Sequence, residues 1–131
     1  MIGIILGSQS DWEIMLNCSD KLEEEGIECE MVVASAHRNP EDVTKHIKDW
    51  EEKGYKAIIA AAGMSAALPG VVASQTNLPV IGVPMKSDLM GIDSLLSIVQ
   101  MPKGVPVACM SVGKHGAINA ALFAKRMLET V

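Results

Sequence analysis

Ile2-Gly3-Ile4-Ile5-Leu6-Gly7-Ser8-Gln9-Ser10-Asp11 is the stretch that decides the fold. A strand with one wet face alternates apolar and polar residues, whereas Ile2 to Leu6 runs without a polar side chain and stops at Gly7. An unbroken β-branched run of this kind suits a strand covered on both faces, the condition of a central strand in a parallel sheet. Ser10, with Glu13 three residues on, then reads as a capping box that opens a helix. Gly7 permits close approach of backbone, Ser8 and Ser10 bring hydroxyls, and the N–H groups of the helix start point the same way, so the turn suits an anion. A helix cap alone needs only Ser10 and accounts for half of the same residues.

The pattern repeats outward from this unit. Ile14, Met15, Cys18 and Leu22 recur at helical spacing, with Glu23 to Glu25 on the solvated side and Gly26 as the stop. A second apolar strand, residues 27–33, empties into Ser35-Ala36-His37-Arg38-Asn39-Pro40, where Asn39 and Pro40 start a helix. A histidine can move protons near neutral pH and a guanidinium holds a phosphate or carboxylate in a fixed fork, so this turn pairs an acid/base with an anion clamp. The following helix carries Val43, Ile47 and Trp50 inward and His46 on its exposed side. A third strand, residues 57–62, leads to Gly63-Met64-Ser65-Ala66-Ala67-Leu68-Pro69-Gly70, whose small apolar lining fits a compact ligand group or, equally, close helix-to-sheet packing. Strands over 79–83 and 106–112 follow, separated by Gly91-Ile92-Asp93-Ser94-Leu95-Leu96-Ser97-Ile98-Val99-Gln100-Met101-Pro102, a helix apolar on most sides. Gly113-Lys114-His115-Gly116 reads as a loop without the glycine spacing of a nucleotide P-loop, ahead of a helix over 117–131. Strand and helix alternate throughout, which predicts one α/β domain over residues 1–131. Its architecture is a three-layer, doubly wound, five-stranded parallel sheet of flavodoxin-like order 2-1-3-4-5, with every candidate loop at the carboxyl edge.

Composition narrows the functions this architecture can serve. At 131 residues and 49% apolar the chain can bury a core unaided, and a net charge of −5 argues against a nucleic-acid or anionic-membrane surface. Cys18, Cys29 and Cys109 form no C-x-x-C and read as small buried hydrophobes in a reducing compartment. Met1 passes straight into the first strand with no cationic leader, and no apolar run is long enough to span a bilayer, so a cytoplasmic location is expected. A phospho-receiver would need an aspartate at the end of the third strand, where Ala60-Ala61-Ala62 stands. Flavin binding would draw on aromatics, which make up 3% of the chain, with only Trp12 near a candidate loop. No His/Cys/Asp/Glu cluster has metal spacing and no serine sits in a nucleophile elbow, which leaves acid/base chemistry by His37 on a phosphate-bearing ligand.

Six segments together carry a resemblance. Gly7 to Trp12, Ser35 to Pro40, Leu68-Pro69-Gly70, Pro79 to Pro84, Gly91 to Pro102 and Asn119 to Leu122 resemble the PurE family of purine biosynthesis nearly end to end. The resemblance implies a metal-free and cofactor-free enzyme acting on a ribonucleotide. Mutase members convert N5-carboxyaminoimidazole ribonucleotide to 4-carboxy-5-aminoimidazole ribonucleotide, and carboxylase members join aminoimidazole ribonucleotide to carbon dioxide. By position it implies that His37 is the general acid/base. Ser8, Ser10, Asp11, Ser35 and Arg38 would bind the ribonucleotide, the serines and Arg38 at phosphate and Asp11 at ribose hydroxyls. The loop from Ala62 and Gly63 through Ser65 to Leu68 would shelter carbon dioxide, and Gln100, Met101 and Pro102 would complete a neighbouring subunit's pocket in a homo-oligomer, expected to be an octamer.

The sequence also departs from the family pattern. Mutases typically read Gly-Gly-Ala-Ala-His-Leu-Pro-Gly in the third loop. Here the chain reads Gly63-Met64-Ser65-Ala66-Ala67-Leu68-Pro69-Gly70 and lacks the histidine before Leu68; Ser65 and Ala67 are carboxylase-like, whereas Ser97 to Pro102 is mutase-like. Asn39 replaces a threonine, and the sequence ends at Val131, before the further C-terminal helix that most members carry. The mutase reading leads, with a direct carboxylase or a non-catalytic ribonucleotide-binding paralogue as the alternatives.

Overall fold

The computed structural model describes residues 1–130, and Val131, the last position of the helix expected over 117–131, lies outside them. Five strands, β1 (Ile2–Leu6), β2 (Cys29–Val33), β3 (Ala57–Ala62), β4 (Val80–Pro84) and β5 (Ala108–Cys109), form one sheet of order β2-β1-β3-β4-β5. All pairs are parallel, and Ile4 of β1 faces Met31 on one side and Ile59 on the other. β1, β3 and β4 are buried along their whole length, as an unbroken apolar run requires of strands covered by helices on both faces.

Five helices supply that cover: α1 (Trp12–Glu24), α2 (Pro40–Glu52), α3 (Leu68–Ala73), α4 (Ile92–Val99) and α5 (Lys114–Glu129). On one face Met15, Cys18 and Leu22 of α1 meet Ala117, Ala120, Ala121 and Ala124 of α5 over the side chains of Ile2, Ile4 and Ile59. The alanines let the two helices lie close together. On the other face Val43, Ile47 and Trp50 of α2, Leu68 and Val72 of α3 and Ile98 of α4 cover Ile5, Ile58 and Ala60. Trp50 is fully buried, worth roughly 1.5–3 kcal/mol for a large side chain, and its Nε1 donates to Glu30 Oε1 at 3.0 Å. Gly3 makes room for it, since a Cβ there would run into the indole ring.

Six local expectations need correction. The fifth strand shrinks from 106–112 to Ala108–Cys109, because it is the sheet's outer strand and Pro106 has no N–H to give the ladder. α5 begins at Lys114 rather than residue 117, because Gly113, at φ 82°, turns the chain directly into the helix. Ser10 is not the cap of α1. A 3₁₀ turn over Gln9–Asp11 intervenes, Ser8 caps that turn, and Asp11 stands at the N-cap of α1 without a side-chain bond. Likewise Asn39 occupies the N-cap of α2 with no side-chain bond. Of the cysteines only Cys18 is buried, while Cys29 and Cys109 lie on the outer strands and are half-buried. His46 is also half-buried, stacked on Trp50 with ring centroids 5.8 Å apart.

Candidate active site

The ends of β2, β1, β3 and β4 are tied level with one another. Ala34 N–H donates to the carbonyl of Leu6 at 2.9 Å, Gly7 N–H to that of Ala61 at 3.0 Å, and Met85 N–H to that of Ala62 at 2.9 Å. These bonds carry the ladder one step past the strands and bring their turns side by side on the carboxyl edge, the usual site of chemistry in open α/β sheets.

In the turn after β1 the hydroxyls organise one another. Ser8 Oγ accepts from Ser10 N–H at 3.2 Å and lies 2.9 Å from Ser10 Oγ, and Asp11 N–H donates to the carbonyl of Ser8 at 3.1 Å. Both serines are exposed, with hydroxyl capacity left for a ligand. Asp11 is half-buried, and burial pushes its carboxyl up to about 6. In the turn after β2, Ser35 Oγ accepts from Arg38 N–H at 3.1 Å and the carbonyl of Ser35 accepts from Asn39 N–H at 2.8 Å. Ser35 therefore shapes the turn that presents His37 and Arg38, both exposed.

The loop after β3 is different in kind. Met64 has a left-handed backbone, φ 57°, and Ala66 N–H closes onto the Met64 carbonyl at 2.9 Å, which turns Ala66 inward and leaves Met64 and Ser65 in solvent. Ala62, Ala66 and Leu68 are buried, so Leu68 seats α3 on the sheet and within this chain shows a ligand little of its side chain. Gly63 lies against Met85, its pro-Cβ position 3.4 Å from the Cβ of that residue.

Ser8, Ser10, Asp11, Ser35, His37, Arg38, Gly63 and Ser65 are thus gathered on adjacent turns of one edge. Gln100, Met101 and Pro102 follow the C-terminus of α4 instead. Gln100 and Pro102 are exposed, and Met101 lays its sulfur over Gly70 of its own chain, 3.0 Å from where a Cβ would stand. α4 leaves Ile92, Leu96 and Val99 exposed, and Leu89 and Met90 just before it extend that apolar face.

Sequence reasoning missed three residues of the same edge. A cavity of about 560 Å³ opens beside Asp11, lined by Ser10, Lys86, Lys114 and His115 with Ile14, Met85 and Val112 as its apolar wall. His37 is therefore not the only histidine at this edge with a cation beside it. No spacing links Lys86, after β4, to Lys114 and His115, and the latter pair was hidden by reading the first turn of α5 as a loop. Among the described residues no group of three or more His, Cys, Asp or Glu side chains is placed to hold a metal, and no helix is long and apolar enough to cross a membrane.

Comparison with known proteins agrees with the fold. The profile of the family described as AIR carboxylase matches residues 1–131. The chain is 54% identical to N5-carboxyaminoimidazole ribonucleotide mutase of Bacillus subtilis over 98% of its own length and 80% of that protein. It is also 54% identical to the mutase of Saccharolobus solfataricus over 97% of its length and 80% of that protein. The crystal structure of Treponema denticola PurE superposes with a TM-score of 0.89 at 32% identity, covering 98% of this chain and 80% of that one.

Proposed function

The chain belongs to the AIR carboxylase family, and from that premise we propose that it is a purine-biosynthetic N5-carboxyaminoimidazole ribonucleotide mutase whose active site is the carboxyl edge of β2, β1 and β3. The observation that carries this reading is the meeting of His37 and Arg38 with Ser8, Ser10 and Asp11 on neighbouring turns, in a chain about half identical to proteins of that name. The alternative, direct carboxylation of aminoimidazole ribonucleotide, is favoured by Ser65 and Ala67 in the third loop alone.

In this mechanism Ser8, Ser10 and the Arg38 fork hold the phosphate, and Asp11 takes the ribose hydroxyls, a role open to a carboxyl in either protonation state. Ser35 positions the Arg38 turn through its bond to Arg38 N–H. His37 donates a proton to the exocyclic nitrogen as the carbamate C–N bond breaks and carbon dioxide departs. Ring carbon 4 then attacks the carbon dioxide, the new C–C bond forms, and the proton leaves carbon 4 for His37, which ends the cycle in the protonation state it began with. Between the two steps the Gly63 to Leu68 loop, poor in polar side chains, holds the carbon dioxide away from water, and the proximity of the two partners replaces a bimolecular encounter. No metal or organic cofactor enters this scheme.

The exposed apolar face from Leu89 to Val99 meets symmetry mates in a closed homo-oligomer, with Gln100, Met101 and Pro102 bordering a neighbour's site. An octamer in the cytoplasm is the assembly this reading expects, and Leu96→Glu gives smaller, inactive species by light scattering. The activity itself is tested by a spectrophotometric assay on both candidate substrates with and without added bicarbonate. The mutase turns over the carbamate without bicarbonate, whereas turnover of aminoimidazole ribonucleotide alone, dependent on bicarbonate, overturns that assignment.

A further inference from the structure

The cavity beside Asp11 holds cationic groups that the proposed mechanism does not use. Lys86 comes from the segment after β4, and Lys114 and His115 come from the first turn of α5. Among the described residues Lys21, Lys53 and Lys125 each reach a carboxylate within 3.8 Å, whereas Lys45, Lys48, Lys56 and Lys103 do not, so what sets Lys86 and Lys114 apart is that they share one cavity. Lys86 and Lys114 appear in no such pair among the described residues, and both are exposed.

The helix start adds donors to the same place. α5 is 16 residues long and its N-cap is Gly113, which has no side chain to accept from the first-turn N–H groups. Gly113 N–H itself donates to the carbonyl of Pro84 at 2.9 Å, which fixes the turn to the end of β4 and so to Lys86. The turn is also closely packed, since a Cβ on Gly116 would fall onto the carbonyl oxygen of Ser111. Two unpaired ammonium groups, an imidazole and the positive end of a long helix therefore converge on one rigid, open cavity.

We propose that Lys86, Lys114 and His115 form a second anion site, distinct from Arg38, that takes the phosphate group of a phosphomonoester. The two sites lie on opposite sides of the β1 turn, because the sheet order places β2 on one side of β1 and β4 and β5 on the other. About 560 Å³ exceeds the needs of a bare phosphate and leaves room for a pentose-sized body against Ile14, Met85 and Val112. Ser10 supplies a hydroxyl from the shared rim. Asp11 is the one carboxyl in the lining, and when ionised it opposes the anion; burial, which pushes it up to about 6, weakens that opposition as pH falls.

The inference does not rest on the proposed activity, because its first test reads binding alone. Inorganic phosphate is titrated into the full chain while the backbone amides are followed by NMR. Saturable shifts are expected at residues 113–116 in the parent and in Arg38→Gln, with affinity weakened at least ~10-fold in Lys86→Gln/Lys114→Gln, the loss expected for charge-assisted hydrogen bonds. Asp11→Asn is expected to bind phosphate more tightly, a sign that general damage to the fold does not produce. Amides that do not move, or shifts that persist at unchanged affinity in the double lysine variant, overturn the site. Steady-state kinetics then identify the source of the phosphate. An unchanged KM in the double variant means a separate phosphomonoester, whereas a raised KM at constant kcat means that the cavity takes the ribonucleotide's own phosphate and overturns the assignment of that phosphate to the Arg38 fork.

Discussion

The turn after β2 and the loop after β3 flank the same strand, yet they are built from opposite materials. Ser35 to Asn39 is polar, exposed and held by its own serine, so it offers His37 and Arg38 to whatever lies over β1. Gly63 to Ala67 has no ionisable side chain, tucks Ala66 into the core and spends a left-handed backbone on Met64 to do so. A site that must move a proton while keeping carbon dioxide from water needs both kinds of surface, and here they stand on either side of Ser8, Ser10 and Asp11. In the proposed mechanism the turn after β2 handles the proton and the loop after β3 gives the shelter.

The largest test removes the polar side of the contrast. His37→Asn is expected to fold and to bind ribonucleotide while turnover falls by at least ~100-fold, the scale of a lost proton-transfer group. Near-normal kcat in that variant would take His37 out of the chemistry. Arg38→Lys keeps the charge but not the fork, so calorimetry is expected to show affinity for the ribonucleotide reduced by about 10-fold, the value of one charge-assisted bond. Unchanged affinity would mean that the guanidinium does not touch phosphate.

Asp11, between the two loops, gives a smaller effect with a definite pH dependence. Its carboxyl is raised in the fold, from 3.8 to about 6, so the folded state binds the proton more tightly than the unfolded chain. Stability from this group is therefore fully present below about 3.8 and is lost as pH rises through about 6. Asp11→Asn removes the cost of the buried charge and is expected to raise Tm at pH 7.5 and leave it nearly unchanged at pH 3.5. A lower Tm at pH 7.5 would show that the ionised carboxylate is stabilised where it stands. The smallest test touches the apolar loop. Met64→Gly relieves a left-handed conformation that costs a side chain roughly 1–2 kcal/mol, though glycine's extra freedom in the unfolded chain returns about 0.5–1 of it. A net gain of up to ~1 kcal/mol in urea unfolding is expected, and a loss would mean that contacts of the Met64 side chain outweigh its strain.

What could be read from residue order differs between these regions for physical reasons. β1 and β3 matched their expected bounds because a strand buried on both faces announces itself as an unbroken apolar run with a glycine at its end. β5 did not, since an outer strand is held by one partner and Pro106 cannot donate. The polar turns were legible as residue types, because Ser8, Asp11, His37 and Arg38 are few and stand directly after strands. Their internal wiring was not: the choice of Ser8 over Ser10 as cap depends on a 3₁₀ turn that no spacing rule separates from the start of α1. Lys86 and Lys114 meet only because β4 and β5 are neighbours, a fact of topology and not of either segment. Met64 is the reverse case, a residue at a glycine position of the mutase pattern that the backbone shows to be left-handed.

In the proposed mechanism carbon dioxide released at the carboxyl edge is recaptured there before water reaches it. The most direct measurement of this recapture uses N5-carboxyaminoimidazole ribonucleotide carrying a ¹³C carboxyl, turned over by the parent chain in a large excess of unlabelled bicarbonate. Product in which ring carbon 4 bears the ¹³C carboxyl is the predicted result; product whose carboxyl carbon comes from the bicarbonate pool would contradict it.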